Sequence, residues 1–194
     1  MIDISDVAMY IKYYKKNLYL SFLKKYKKLD YTGRIENKNP ELRGYEGCYP
    51  IKRVLQRLKP TKNDRILDIG CGKGLFLYYA SKFKFDRIDG IDLSLELTNI
   101  AIDNIAKIKD KRINIIHCDA RDFKQYDNYN YFFINNPFTS EITEYVIKEI
   151  CNSYKRNKRR ITVIYQFPFN KSIFINNGFE IIYEKFPNCV LKFG

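Results

Sequence analysis

The chain has 194 residues, 45% hydrophobic and 29% charged, with a net charge of +13 at pH 7 and a pI near 9.4. That length suits one domain with its own core, and no apolar run approaches the roughly 18–20 residues that cross a bilayer. Five scattered cysteines, with no C-x-x-C pair and a single histidine (His117), exclude a disulfide framework and a zinc site, so no metal is expected. The positive charge points to a polyanionic partner such as nucleic acid. Its competing explanation is compositional, because the chain is rich in Lys, Asn, Ile, Tyr and Phe together. Residues 1–6 carry acids where a signal peptide has lysines, so a cytoplasmic location is expected.

Residues 6–29 read as an amphipathic helix with Ser5 as its N-cap. Val7, Ile11, Tyr14, Leu18 and Phe22 recur at spacings of three and four, so this stripe is expected to face the core, with the lysines solvated elsewhere; the alternative is an appendage that grips a substrate or binds a partner. From Asp30 to Pro50 the pattern breaks into a loop marked by Gly33, Pro40, Gly44 and Gly47, which carries Arg34, Arg43, Tyr45 and Tyr49. A short helix, Ile51 to Leu58, ends before Pro60.

Alternation of strands and helices begins at Arg65. Strands are predicted at 65–69, 87–91, 113–118, 131–135, 161–165, 180–184 and 189–193, and helices at 74–82, 95–107, 140–154 and 170–176. Such alternation implies an α/β fold, a doubly wound and mostly parallel sheet with right-handed crossovers. Only Lys185–Asn188 joins the last two strands, and a link that short forces an antiparallel hairpin.

Chemistry concentrates at the C-terminal ends of the strands, where an open α/β sheet binds its ligands. The first strand runs into Asp68-Ile-Gly-Cys-Gly-Lys-Gly74 and restarts as a helix. A glycine turn at a helix start gathers backbone N–H groups at one point and lets a ligand lie against the main chain. The second strand ends in Gly90-Ile-Asp92-Leu93, and Asp92 lies 22 residues after Gly70, near the offset at which an acid meets ribose hydroxyls. The third ends in Cys118-Asp119-Ala120 and the fourth in Asn135-Asn136-Pro137-Phe138.

These motifs resemble the class I S-adenosylmethionine-dependent methyltransferases. Within them, bacterial members with a Tyr-Glu-x-x-Tyr segment ahead of the glycine loop are the most similar, here Tyr45-Glu46-Gly-Cys-Tyr49. The resemblance covers residues 45–194 and leaves 1–44 as an N-terminal helix-and-loop extension. It implies a seven-stranded sheet in the order 3-2-1-4-5-7-6 with the last strand antiparallel. It implies S-adenosylmethionine as cofactor, with Asp68 facing the methionyl ammonium and Gly70 and Gly72 passing the methionyl and ribose portions. Asp92 would accept the ribose hydroxyls, and Asp119 and Ala120 would meet adenine. Cys71, Gly74, Leu93 and Asn135 would be neighbouring cofactor contacts.

Asn135-Asn136-Pro137-Phe138 is similar to the Asn-Pro-Pro-Tyr/Phe signature of amino-group methyltransferases, and also to an Asn-Asn-Phe segment of non-SET histone-lysine methyltransferases. The first resemblance implies that the Asn135 side chain and the Asn136 carbonyl orient a target amine while Phe138 stacks on a planar ring. The sequence departs from that signature where Asn136 replaces the first proline. Tyr45, Tyr49 and the Gln166–Phe169 segment are candidate walls of the acceptor pocket. Lys155–Arg160 reads as a solvated turn at the far end of the sheet. The function so implied is methyl transfer to an amino nitrogen of a small molecule, nucleic acid or protein. The alternatives are a catalytically silent S-adenosylmethionine-binding module and a nicotinamide-dependent reductase, against which the G-x-G-x-G spacing speaks.

Overall fold

The structure is a computed structural model that describes residues 4–33, 44–45 and 47–194, with backbone alone at 4–9. The predicted loop positions Arg34, Pro40 and Arg43, Glu46 of the Tyr-Glu segment, and the Val7 side chain lie outside the described residues.

Seven strands form one sheet: β1 (Arg65–Ile69), β2 (Arg87–Asp92), β3 (Ile113–His117), β4 (Tyr131–Ile134), β5 (Ile161–Gln166), β6 (Glu180–Lys185) and β7 (Asn188–Phe193). Their order is β3-β2-β1-β4-β5-β7-β6, as the resemblance implied. Strands β1 to β5 pair in parallel, and β7 runs antiparallel to both β5 and β6. The helices are α1 (Ile4–Lys27), α2 (Lys52–Leu58), α3 (Leu75–Ala80), α4 (Leu95–Ile108), α5 (Ser140–Arg156) and α6 (Lys171–Asn176). The predicted boundaries hold to within about two residues, and Ser94 caps α4 by accepting from the Leu97 N–H at 3.3 Å. The sequence reading missed a short 3-10 turn at Tyr126–Asn128, the only regular element between β3 and β4.

Both faces of the sheet are covered, which is why the central strands read as apolar runs. Alternate residues of β1 serve opposite cores: Ile66 faces the side built by α1, α2 and α3, while Leu67 and Ile69 face α5 and α6. On the first side Phe76 of α3 stacks on Phe133 of β4 at 3.8 Å, with the rings 1° from parallel. Asp89 of β2 is fully buried; its Oδ2 is held by Arg87 Nε at 2.6 Å and by the Tyr129 hydroxyl, while its Oδ1 has no partner among the described residues.

Helix α1 forms, but it turns the other way. Leu20 and Leu23 are buried in the core, with Lys16 beside them, whereas Ile11, Tyr14, Leu18 and Phe22 of the predicted core stripe face solvent. The helix carries two apolar arcs, and periodicity alone picked the longer one. Leu20 and Leu23 continue into Leu29 and Tyr31, which join the same core. The Ser5 cap is corrected as well, because the helix already includes Ile4.

The basic run Lys155–Arg160 does lie at the start of β5, away from the strand tips, but it braces the fold rather than merely facing water. Arg156 pairs with Asp127 at 2.6 Å, and Arg159 donates to the carbonyls of Tyr129 and Tyr126 at 2.6 and 2.9 Å.

Candidate functional site

The C-terminal tips of β1, β2 and β4 and the loop after β3 surround a cavity of about 490 Å³. Its lining includes Asp68, Gly70, Cys71, Gly72, Asp92, Leu93, Asp119, Ala120, Asn135, Asn136, Pro137 and Phe138, together with Tyr45. Most of the sequence-derived candidates therefore converge on one cavity. Gly74 serves as the N-cap of α3 outside the lining, and Tyr49 packs behind the wall. Tyr49 is held there by its N–H to Gln166 Oε1 at 2.6 Å and by edge contact with Phe167, so its expected place in the acceptor pocket is corrected. Phe167 and Phe169 stay outside the lining too.

The glycine loop is shaped by what presses on it. Gly70 adopts φ +80°, and a Cβ there would lie 2.7 Å from the Cβ of Pro137, so the loop and the turn after β4 are in direct contact. Gly72 adopts φ +52°, and a Cβ there would collide with the Tyr45 ring. Both positions require glycine for conformation and for space. Tyr45 is anchored over the loop by its hydroxyl, which donates to the Tyr31 carbonyl at 3.0 Å. Lys73 donates to the Thr32 carbonyl at 2.7 Å, and Asn104 binds the Asp30 and Lys73 carbonyls at 2.9 and 3.1 Å. The segment after α1 is thus tied to the loop. Neither Lys73 nor Asn104 stands out in the sequence, because each reads locally as an ordinary helix or turn residue.

The carboxylates differ in circumstance. Asp92 accepts from the Gly72 N–H at 2.7 Å and the Ser94 N–H at 2.9 Å, so it ties the loop to the start of α4. Burial raises its pKa, against the pull of those two donors. Asp119 is held by Arg121, whose Nη2 lies 2.8 Å away, and that hydrogen bond lowers its pKa. Asp68 is 1% exposed, and its Oδ1 has no hydrogen-bond partner among the described residues. Burial pushes its pKa well above the ordinary carboxylate value, and the nearby Asp92 charge adds to the shift.

A buried carboxylate with an orphaned oxygen, facing a cavity that holds further acids, is the environment a bound cation completes. S-adenosylmethionine carries positive charge at sulfur and at its amino group, so these residues fit it. Asp68 would receive the ammonium, Asp92 the ribose, and the Asp119–Ala120 edge the adenine. Asp92→Ala should keep the fold but leave the Gly72 and Ser94 N–H groups without their acceptor. Calorimetry should show cofactor affinity falling about 10- to 100-fold, with a loss of roughly 1–3 kcal/mol in stability.

At the tip of β4, Asn135 places its Nδ2 3.5 Å from the Gly47 carbonyl, while its buried Oδ1 has no partner among the described residues. Asn136 is buried at φ +48°, and its Oδ1 accepts from the Tyr165 hydroxyl at 3.0 Å. A proline ring cannot take that φ. Here the turn is fixed by a left-handed asparagine and a tyrosine instead of by the proline of the amino-methyltransferase signature.

Residues 66–157 match the family described as methyltransferase domain. A probable cobalt-precorrin-6B C(15)-methyltransferase (decarboxylating) of Methanococcus maripaludis is 32% identical over 94 residues, 48% of this chain and 51% of the relative. The match thus spans about half the length of that curated relative. A solved S-adenosylmethionine-dependent methyltransferase from Aquifex aeolicus aligns with TM-score 0.56 at 18% identity, covering 73% of this chain and 87% of the other. An S-adenosylmethionine-dependent methyltransferase structure from Methanococcus maripaludis aligns with TM-score 0.56 at 19% identity, covering 74% and 82%. At those identities the two structures speak for the fold alone. The sheet order and the glycine loop with its acids agree with that match, and residues 66–157, just under half of the chain, are similar to the methyltransferase domain family.

Proposed function

We propose that the chain transfers a methyl group from S-adenosylmethionine to an amino nitrogen presented at the Asn135–Phe138 turn. When bound, the cofactor supplies a methyl group on a sulfonium, which passes in line to an acceptor lone pair. The observation that carries the nitrogen reading is the buried, unpartnered Oδ1 of Asn135 on the cavity wall. An acceptor-only oxygen in that position holds an N–H and aims the nitrogen lone pair away from itself. Phe138 supplies a buried apolar wall against which a planar acceptor can rest. No side-chain base is required, because an amine can lose its proton to water. Residues 45–194 carry this chemistry, with 1–44 as an extension. The five free cysteines are compatible with a reducing compartment such as the cytosol.

A carbon acceptor is the second reading. The relative from Methanococcus maripaludis is named for carbon methylation, and the left-handed Asn136 departs from the nitrogen-methylating signature.

Methyl-labelled cofactor incubated with RNA, protein and small-molecule fractions of a cell extract, followed by mass spectrometry of the labelled product, separates these readings. An N-methyl product supports the proposal, and Asn135→Ala should lower its formation about 100- to 1,000-fold with cofactor binding little changed. A C-methyl product would replace nitrogen by carbon. No label in any fraction, with binding intact, would mean a silent binding module.

A further inference from the structure

The outward face of α1 bears a row that the core does not use. Tyr10, Tyr14, Leu18, Phe22 and Tyr26 recur every fourth residue and are 72%, 63%, 62%, 48% and 64% exposed. At 1.5 Å rise and about 100° of turn per residue they climb in steps of about 6 Å and drift about 40° per step, an exposed stripe that winds nearly half-way round the helix. Phe22 and Tyr26 lie with ring centres 4.9 Å apart, and Lys25 Nζ sits 5.3 Å from the Tyr26 centre. Lys15 is exposed beside the row, three residues before Leu18, and residues 10–28 contain no acid. An isolated exposed ring needs no explanation, but a continuous row of them does.

We propose that this face of α1 is a docking surface for single-stranded RNA. Unpaired bases stack on exposed aromatic rings whatever their sequence, and lysines beside the rings neutralise the phosphates. The pairing of rings with cations in one acid-free stretch is the complement of a strand that offers a flat base and a negative charge at each step. The net charge of +13 draws the same polyanion. RNA is the nucleic acid whose loops and ends display unstacked bases. A second copy of the chain would set lysine against lysine across the row. An anionic lipid surface would also accept tyrosine rings and lysines, so vesicle binding is one of the outcomes that overturn the proposal.

The test is fluorescence anisotropy of a labelled mixed-sequence RNA 20-mer with the full chain, over a range of salt concentrations. Binding should weaken as salt rises. Tyr14→Ala and Phe22→Ala should each weaken binding by roughly 5- to 100-fold, since stacking is lost base by base. Lys15→Ala together with Lys25→Ala should flatten the log–log salt slope by about 0.7 per lysine. S-adenosylmethionine calorimetry on the same preparations reports whether the fold and the cofactor site survive, so the two proposals fail separately. The inference is overturned if the 20-mer does not bind at low salt while the cofactor does. It is equally overturned if the ring variants bind RNA like the parent, or if they lose anionic-vesicle binding or self-association in its place.

Discussion

Replacing Asp68 by Asn should lower S-adenosylmethionine affinity by about 30- to 1,000-fold, a loss of roughly 2–4 kcal/mol, while making the unliganded protein more stable at neutral pH. The two effects share one cause. Asp68 is almost wholly buried, its Oδ1 has no partner, and burial followed by the Asp92 charge lifts its pKa well above 3.8. A group whose folded pKa is raised contributes stability below its unfolded pKa and loses it as pH rises through the folded value. The free protein therefore pays for the ionised carboxylate at higher pH, and the isosteric amide removes that penalty. A bound cation favours the ionised form, so between the ordinary and the raised pKa the cofactor should bind more tightly as pH rises and should release a proton. Thermal melts and calorimetry in buffers of different ionisation enthalpy read both effects. Binding by Asp68→Asn within threefold of the parent would show that the cavity's positive ligand is held elsewhere.

The second large effect joins the two halves of the site. Gly70→Ala would place a methyl group 2.7 Å from Pro137 Cβ and 2.9 Å from its Cγ, at a φ of +80°. A left-handed non-glycine costs about 1–2 kcal/mol and overpacking a further 1–3, so the fold should lose roughly 2–5 kcal/mol. Because Pro137 directly follows Asn135 and Asn136 in the acceptor turn, the strain should also displace them and lower transfer as well as binding. Pro137→Gly removes the atoms that the new methyl group meets. Combined with Gly70→Ala it should recover more than 1 kcal/mol relative to the sum of the single changes, a coupling that denaturation of the four proteins measures. Additive single effects would mean that the loop and the turn do not constrain each other.

Where a local rule was strong, the sequence was sufficient. The three glycines, the acids at strand tips and the short link between β6 and β7 fix backbone geometry within a few residues, and the observed sheet order is the one implied by the family resemblance that these motifs carry. Three features were hidden for physical reasons. Helix α1 has apolar residues on more than one arc, and only the site of packing decides that Leu20 and Leu23 go inward while Tyr14 and Leu18 do not. Tyr45 and Tyr49 look equivalent in sequence, yet the first lies on Gly72 and the second against Phe167. The asparagine turn resembles one that proline imposes, but Asn136 reaches φ +48° because Tyr165, far along the chain, holds its side chain. Long-range partners of that kind leave no mark on local spacing.

The central claim is that the strand tips hold a cofactor whose positive charge completes Asp68. Its most direct measurement is a calorimetric titration of the unaltered chain with S-adenosylmethionine, with NADH as the comparison. Dissociation constants of about 1–100 μM for S-adenosylmethionine, with proton release at mildly acidic pH and no binding of NADH, are expected. Affinity for S-adenosylmethionine weaker than about 1 mM, or preference for NADH, would contradict the claim.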